Sequence, residues 1–235
     1  MPSHRIVFAA VLFFSLGSVL APKSAGAETR PTVVELFTSQ GCSSCPPADA
    51  LLGEIAKRPD VIALGFHIDY WDGLGWKDPF STPQSTARQR AYARQFGTPI
   101  YTPQLVVDGA REMVGSRRDE VIAALREASP AAVAPVTFAA DRRSVTIGPA
   151  AAASGAGQVL LVRFVQKRTT PIGAGENARR TLEDTNGVEA LSTLGEWQGT
   201  PATFPLDPPA AGEGVAVLVQ APDGLILGAA VLLGS

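Results

Sequence analysis

The sequence predicts an α/β domain of order β-α-β-α-β-β-α over residues 28–130, followed by a smaller, mostly-β, sandwich-like domain over residues 131–235. Two observations predict it. β-branched apolar runs alternate with segments of helical period in the first half. From Ser129 the texture changes to Ala, Pro and Gly around short β-type runs, which sets a boundary near Pro130 to Pro135. Residues 1–27 do not belong to either part. They comprise a basic start at Arg5, an apolar stretch from Ile6 to Ala21 and the small-residue sequence Ala25-Gly26-Ala27. That is the layout of a cleaved secretory signal, and it predicts an exported protein of the periplasm or extracellular space.

The elements follow in order. Thr32 to Thr38 is β-branched and aromatic and stops at Ser39-Gln40-Gly41, so it reads as a buried strand. Cys42-Ser43-Ser44-Cys45 comes next, and Ala48, Leu51, Leu52 and Ile55 then recur at helical spacing between Ser44 and Lys57. Pro46 and Pro47 are tolerated because they fall in the first turn. Val61 to Ile68 is a second buried strand. It leads to a loop dense in rings and acids, from Asp69-Tyr70-Trp71-Asp72 to Trp76-Lys77-Asp78-Pro79-Phe80. A polar helix over about Thr82 to Phe96 precedes the strand Gln104-Leu105-Val106-Val107, whose Asp108-Gly109 signals a hairpin to Glu112-Met113-Val114. Asp119 to Ala128 closes the first half as an amphipathic helix. Beyond the boundary, β-type runs lie at Val136–Phe138, Val145–Ile147, Gln158–Gln166, Val215–Gln220 and Leu225–Leu232, the last two joined at Asp223-Gly224. The stretch from Gly173 to Trp197 shows no clear period.

Composition narrows the function. Loss of the signal segment removes Arg5 and Lys23, leaving 18 basic against 22 acidic residues, a net charge of −4, so no nucleic-acid partner is expected. No apolar run reaches the ~20 residues of a membrane span, and none is expected in the mature chain. The only two Cys are retained after cleavage. A pair three residues apart closes too short a loop to stabilise a fold much, so redox or metal chemistry is the stronger reading.

At a helix start the first thiol lies beside unpaired N–H groups and the positive end of the helix dipole, which favour the thiolate. Cys42 is then the nucleophile. Cys45, further in, resolves the mixed disulfide. Glu35 alternates with Val33 and Phe37 and points inward; it either takes the proton of Cys45 or is satisfied by neighbouring N–H groups. His67, the one His of the mature chain, is a strand residue or joins the Cys pair as a copper(I) or zinc ligand. Tyr70, Trp71 and Trp76 form a substrate-holding wall beside the pair or pack under the following helix. Arg88, Arg90 and Arg94 read as a solvated helix face.

This element order, with the X-Pro step Thr102-Pro103 before a later strand, resembles the thioredoxin superfamily. Thr102 to Gly109, with Gly115-Ser116, is similar to the equivalent stretch of glutaredoxins. The resemblance implies a thioredoxin-like first domain in which Pro103 is cis and faces the Cys pair, and in which the backbone at Thr102 pairs with an extended substrate. A closer resemblance covers nearly the whole mature chain. Glu35 to Asp49, then His67-Ile68-Asp69-Tyr70-Trp71-Asp72 and Gly175-Glu176-Asn177-Ala178, are similar to the exported bacterial family catalogued as domain-of-unknown-function family 1223, whose name implies no activity.

The expectation is therefore an exported thiol–disulfide oxidoreductase. Its catalytic candidates are Cys42, Cys45, Glu35 and Pro103, its substrate-binding candidates Thr102, Trp71 and Tyr70. It needs no organic cofactor, and its partners are protein or small-molecule thiols and disulfides. The alternative is a non-catalytic binding module, for copper(I) or a protein partner, on the same scaffold. Oligomeric state and direction of electron flow are not legible.

Overall fold

A computed structural model describes Met1 and residues 30–128, 133–150 and 155–234. The signal segment expected at 1–27, past Met1, and the start of the expected boundary at 130–132 lie outside the described residues. The architecture is mixed α/β, with a large sheet and few helices.

Over the first half the elements are β1 (Thr32–Thr38), α1 (Pro46–Ile55), β2 (Val61–His67), α2 (Pro83–Phe96), β3 (Gln104–Val107), β4 (Arg111–Val114) and α3 (Arg118–Glu127). β1 and β2 are buried along their whole length. They run parallel, and β3 lies antiparallel on the other side of β1. α2 starts at Thr82, whose side chain accepts from the Ser85 N–H, and ends at Gly97 with φ 67°, the left-handed stop that Gly reaches without a Cβ penalty. Asp108 and Gly109 both have positive φ, as the tight β3–β4 turn requires.

The second half supplies β5 (Val136–Phe138), β6 (Ser144–Ile147), β7 (Gly157–Pro171), β8 (Thr181–Trp197), β9 (Ala202–Pro205), β10 (Glu213–Gln220) and β11 (Ile226–Leu233). Four of these strands continue the sheet of the first half: the order is β11-β10-β7-β8-β2-β1-β3-β4. The junction is narrow, with Gly65 of β2 pairing in parallel with Gly187 of β8. Most of the Gly173 to Trp197 stretch is thus the 17-residue strand β8, which forms a long antiparallel hairpin with β7.

Alternation divides the core between the two faces of the sheet. Val33, Phe37, Leu64 and Phe66 meet Tyr92 of α2 on one face, continuous with Leu160, Val162 and Leu218. Val34, Leu36 and Leu105 meet α1 and α3 on the other. Beyond those helices the second face is covered by a three-stranded sheet, β5-β6-β9. There Val145 and Ile147 pack on Val159, Leu161, Val217 and Trp197. A second tie joins the halves at the hairpin turns. Arg30 bonds both the Asp108 carboxylate and the Ile226 carbonyl, and the Ile226 N–H donates to the Asp108 carbonyl. A Cβ on Gly109 would lie 1.9 Å from the Gly224 carbonyl oxygen.

Candidate active site at the Cys42–Cys45 disulfide

β1 runs buried to Thr38, and the chain then turns through Ser39-Gln40-Gly41 onto α1. The Ser39 hydroxyl accepts from the Gly41 N–H and the Ser39 carbonyl from the Cys42 N–H. Cys45 is the N-cap of α1, with Pro46 and Pro47 behind it, and Cys42 lies in the turn before it. The two sulfurs are joined in a disulfide. The Thr102–Pro103 peptide is cis. Thr102 donates its hydroxyl to Cys42 Sγ at 3.3 Å and accepts from Trp71 Nε1 at 3.0 Å. Ser44 Oγ lies 3.3 Å from the same sulfur. Cys42, Cys45, Thr102, Pro103 and Trp71 are therefore brought together. Tyr70 is half-buried and packs with Trp71 against the core of the α2 face, and burial raises its pKa.

Glu35 is not in this group. It points inward, but on the α2 face, across the sheet from α1. Its carboxylate accepts from Arg88 Nε and Nη2 and from the Tyr92 hydroxyl. Arg88 corrects a second expectation: it is no solvated cation. Its side chain is 7 % exposed, and its guanidinium lies over the Phe66 and Tyr92 rings and donates to Gln220 of β10. An inward Glu on a central strand needs a partner of opposite charge, and α2 provides it.

His67 is likewise turned away from metal chemistry with the sulfurs. Its Nδ1 lies 2.7 Å from Asp78 and its Nε2 3.8 Å from Asp184 of β8. Among the described residues no three His, Cys, Asp or Glu side chains are grouped to hold a metal ion. Burial would lower the pKa of His67, but Asp78, Asp184 and Asp49 outweigh it and raise it to about 9. Asp78 is buried too, yet the His67 charge and donors from Gln40 and Phe80 hold its carboxyl below the usual range.

Sequence reasoning missed several members of this cluster. Asp49, on α1 one turn after Cys45, accepts from the Thr38 hydroxyl at 2.7 Å. Burial dominates there, and its pKa rises to about 7 despite His67 and Thr38. Gln40 donates to Asp184 and accepts from Trp76 Nε1. The tip of the β7–β8 hairpin reaches the Cys turn: Asn177 Nδ2 donates to the carbonyls of Gln40 and Cys42 at 2.9 Å each, and Glu176 accepts from the Ser43 N–H at 3.0 Å. The available signals were the i, i+4 spacing of Cys45 and Asp49 and the Gly175-Glu176-Asn177 motif itself. Under these contacts Cys42 is 1 % exposed and Cys45 0 %.

Residues 33–220 match the family described as protein of unknown function, DUF1223. The chain belongs to that family. A solved structure, protein AGR_C_4864 from Agrobacterium tumefaciens, is 33 % identical, with 89 % of this chain and 97 % of that one covered at a TM-score of 0.73. HBP35 of Porphyromonas gingivalis is 16 % identical over 89 % of this chain and 76 % of its own, at a TM-score of 0.56, a likeness of fold. No curated protein matches.

Proposed function

We propose that this DUF1223 protein is an exported thiol–disulfide exchange protein whose first half is a thioredoxin-like unit carrying Cys42 and Cys45. The observation that carries the reading is the disulfide at the start of α1 facing the cis Thr102–Pro103 step, with the Thr102 hydroxyl on Cys42 Sγ. The order of elements from β1 to α3 supports it.

In exchange, a partner thiolate attacks Cys42 Sγ, the Cys42–Cys45 bond breaks, and the electron pair leaves on Cys45. A second partner thiolate then attacks the mixed disulfide and releases Cys42, so the partner loses two electrons and two protons and the Cys pair gains both. Run backwards, the same steps reduce a partner disulfide. Asp49 replaces Glu35 as the carboxyl that exchanges the proton of Cys45: it lies on the Cys side of the sheet, one helical turn from Cys45, and titrates near neutrality. Trp71 and Thr102 form the wall that a partner segment meets.

A second reading, a structural bridge in a binding module, is favoured by the burial of both sulfurs. The reduction potential decides, measured by equilibration with glutathione or dithiothreitol and counting of alkylated thiols. A value between about −270 and −120 mV is expected for exchange, and one below about −300 mV would replace that reading with the structural one.

A further inference from the structure

The Gly175-Glu176-Asn177 tip lies at the far end of a hairpin from the second half, yet it closes on the Cys turn. Asn177 is buried, and its amide is oriented by Arg180, which donates to Asn177 Oδ1 at 2.9 Å while Nδ2 bonds the Gln40 and Cys42 carbonyls. The tip is closed on itself by Ile172 N–H to the Arg180 carbonyl and Arg179 N–H to the Ile172 carbonyl. Gly175, at φ 75°, lets the backbone pass against Trp76, where a Cβ would sit 3.1 Å from the Trp76 Cβ. All of this seats one charged group, the Glu176 carboxylate, on the Ser43 N–H.

That N–H adjoins Cys42, at the end of α1 where backbone donors favour a thiolate. A carboxylate bound there takes up the donor and sets a negative charge on the residue next to Cys42. Both effects oppose Cys42 as a thiolate and leave the neutral disulfide untouched. We infer that Glu176 is a positioning residue that biases the Cys42–Cys45 pair toward the disulfide, held in place by Asn177. The inference deepens the exchange reading, because it assigns a tuning element to the same site. Glu176 is itself held below the usual carboxylate range by its bonds to Ser43.

The test is Glu176→Gln, which keeps an acceptor for Ser43 and removes the charge. Each protein is equilibrated with dithiothreitol, whose two thiols form one S–S bond as Cys42 and Cys45 gain two electrons and two protons. The variant should be reduced more easily by about threefold to tenfold in equilibrium constant at low salt, roughly 15–30 mV at about 30 mV per tenfold. Cys42 should also alkylate at a lower pH. Because Glu176 is exposed, the shift should shrink in ~1 M salt, a dependence that a loss of packing would not show. Asn177→Ala, which unseats the tip, should shift the potential in the same direction. Glu183→Gln, at an exposed carboxylate paired with Lys167, should not shift it. An unchanged potential and alkylation profile for Glu176→Gln at low salt would overturn the inference. A wild-type potential below about −300 mV overturns the exchange reading instead, and dithiothreitol still reads the Glu176 shift.

Discussion

Replacing Arg88 with Met keeps most of the aliphatic stem over Phe66 and Tyr92 but strands the Glu35 carboxylate, whose side chain is 0 % exposed. Breaking a buried pair by removing one partner typically costs about 3–5 kcal/mol, because the remaining charge is left without compensation. For a domain of this size each kcal/mol lowers Tm by roughly 2–4 °C, so the expected loss is about 6–20 °C. Glu35→Gln should cost less, since Tyr92 and Arg88 can still bond an uncharged amide oxygen. The double variant Glu35→Leu with Arg88→Met should recover much of the loss, as replacing both members of a buried pair by apolar groups can be neutral. Urea titrations of the wild type, Glu35→Leu, Arg88→Met and the double variant give the cycle, and the coupling should exceed about 2 kcal/mol. Exchange with dithiothreitol at several pH values, in Glu35→Gln, should follow the wild type, because Glu35 lies across the sheet from the sulfurs. A loss below about 1 kcal/mol for Arg88→Met would mean a pair no stronger than a surface bridge and refute the argument from burial. An altered pH profile for Glu35→Gln would return Glu35 to the chemistry.

Three other places in the structure give further outcomes. Asp49→Asn should remove an inflection near pH 7 from the exchange rate, read by stopped-flow alkylation. The same substitution should stabilise the protein at pH 8 but not at pH 4: the folded pKa is raised, so the wild-type contribution is present below pH ~4 and is lost as pH rises through about 7. His67, also raised, contributes stability that is full below its unfolded pKa and lost as pH rises through about 9, so urea midpoints should fall between pH 7 and 10, and Asp78→Asn should cost about 3–5 kcal/mol at pH 7. Gly109→Ala should lower Tm by several degrees, because a Cβ there meets the Gly224 carbonyl and the residue sits at φ 66°; an unchanged Tm would show that the two turns give way freely.

The elements from β1 to α3 were legible because each has a strong period and a marked end: buried β-branched runs, paired Pro at the start of α1, Thr82 before α2 and Asp108-Gly109 between strands. The turn at the start of α1 placed Cys42 and Cys45, while the position of Thr102 and Pro103 beside them came from the resemblance to the thioredoxin superfamily. Glu35 shows where pattern reading stops. Alternation put it inside, but a central strand has two insides, and nothing local says which one carries the helix with the Cys pair. β8 was illegible because its burial is irregular, its pairing with β7 shifts register twice, and much of one face is exposed. Gln40, Asp78 and the pair Asn177 and Asp184 come from three separate stretches of chain, so their meeting is a property of topology. It was the docking of β8 on β2 that assembled them.

That docking bears on how the protein can be handled. A fragment ending near residue 130 would keep both sulfurs and the cis proline but present β2 as a bare edge strand, with its N–H and C=O row open to pairing with other copies. It would also strip Asp184 from His67 and the Asn177 clamp from Cys42. A minimal version of the Cys-bearing half is therefore expected to aggregate, and redox values taken from it would belong to a sulfur pair in a different electrostatic setting. Work on this chemistry belongs with the chain from Arg30 to the end of β11.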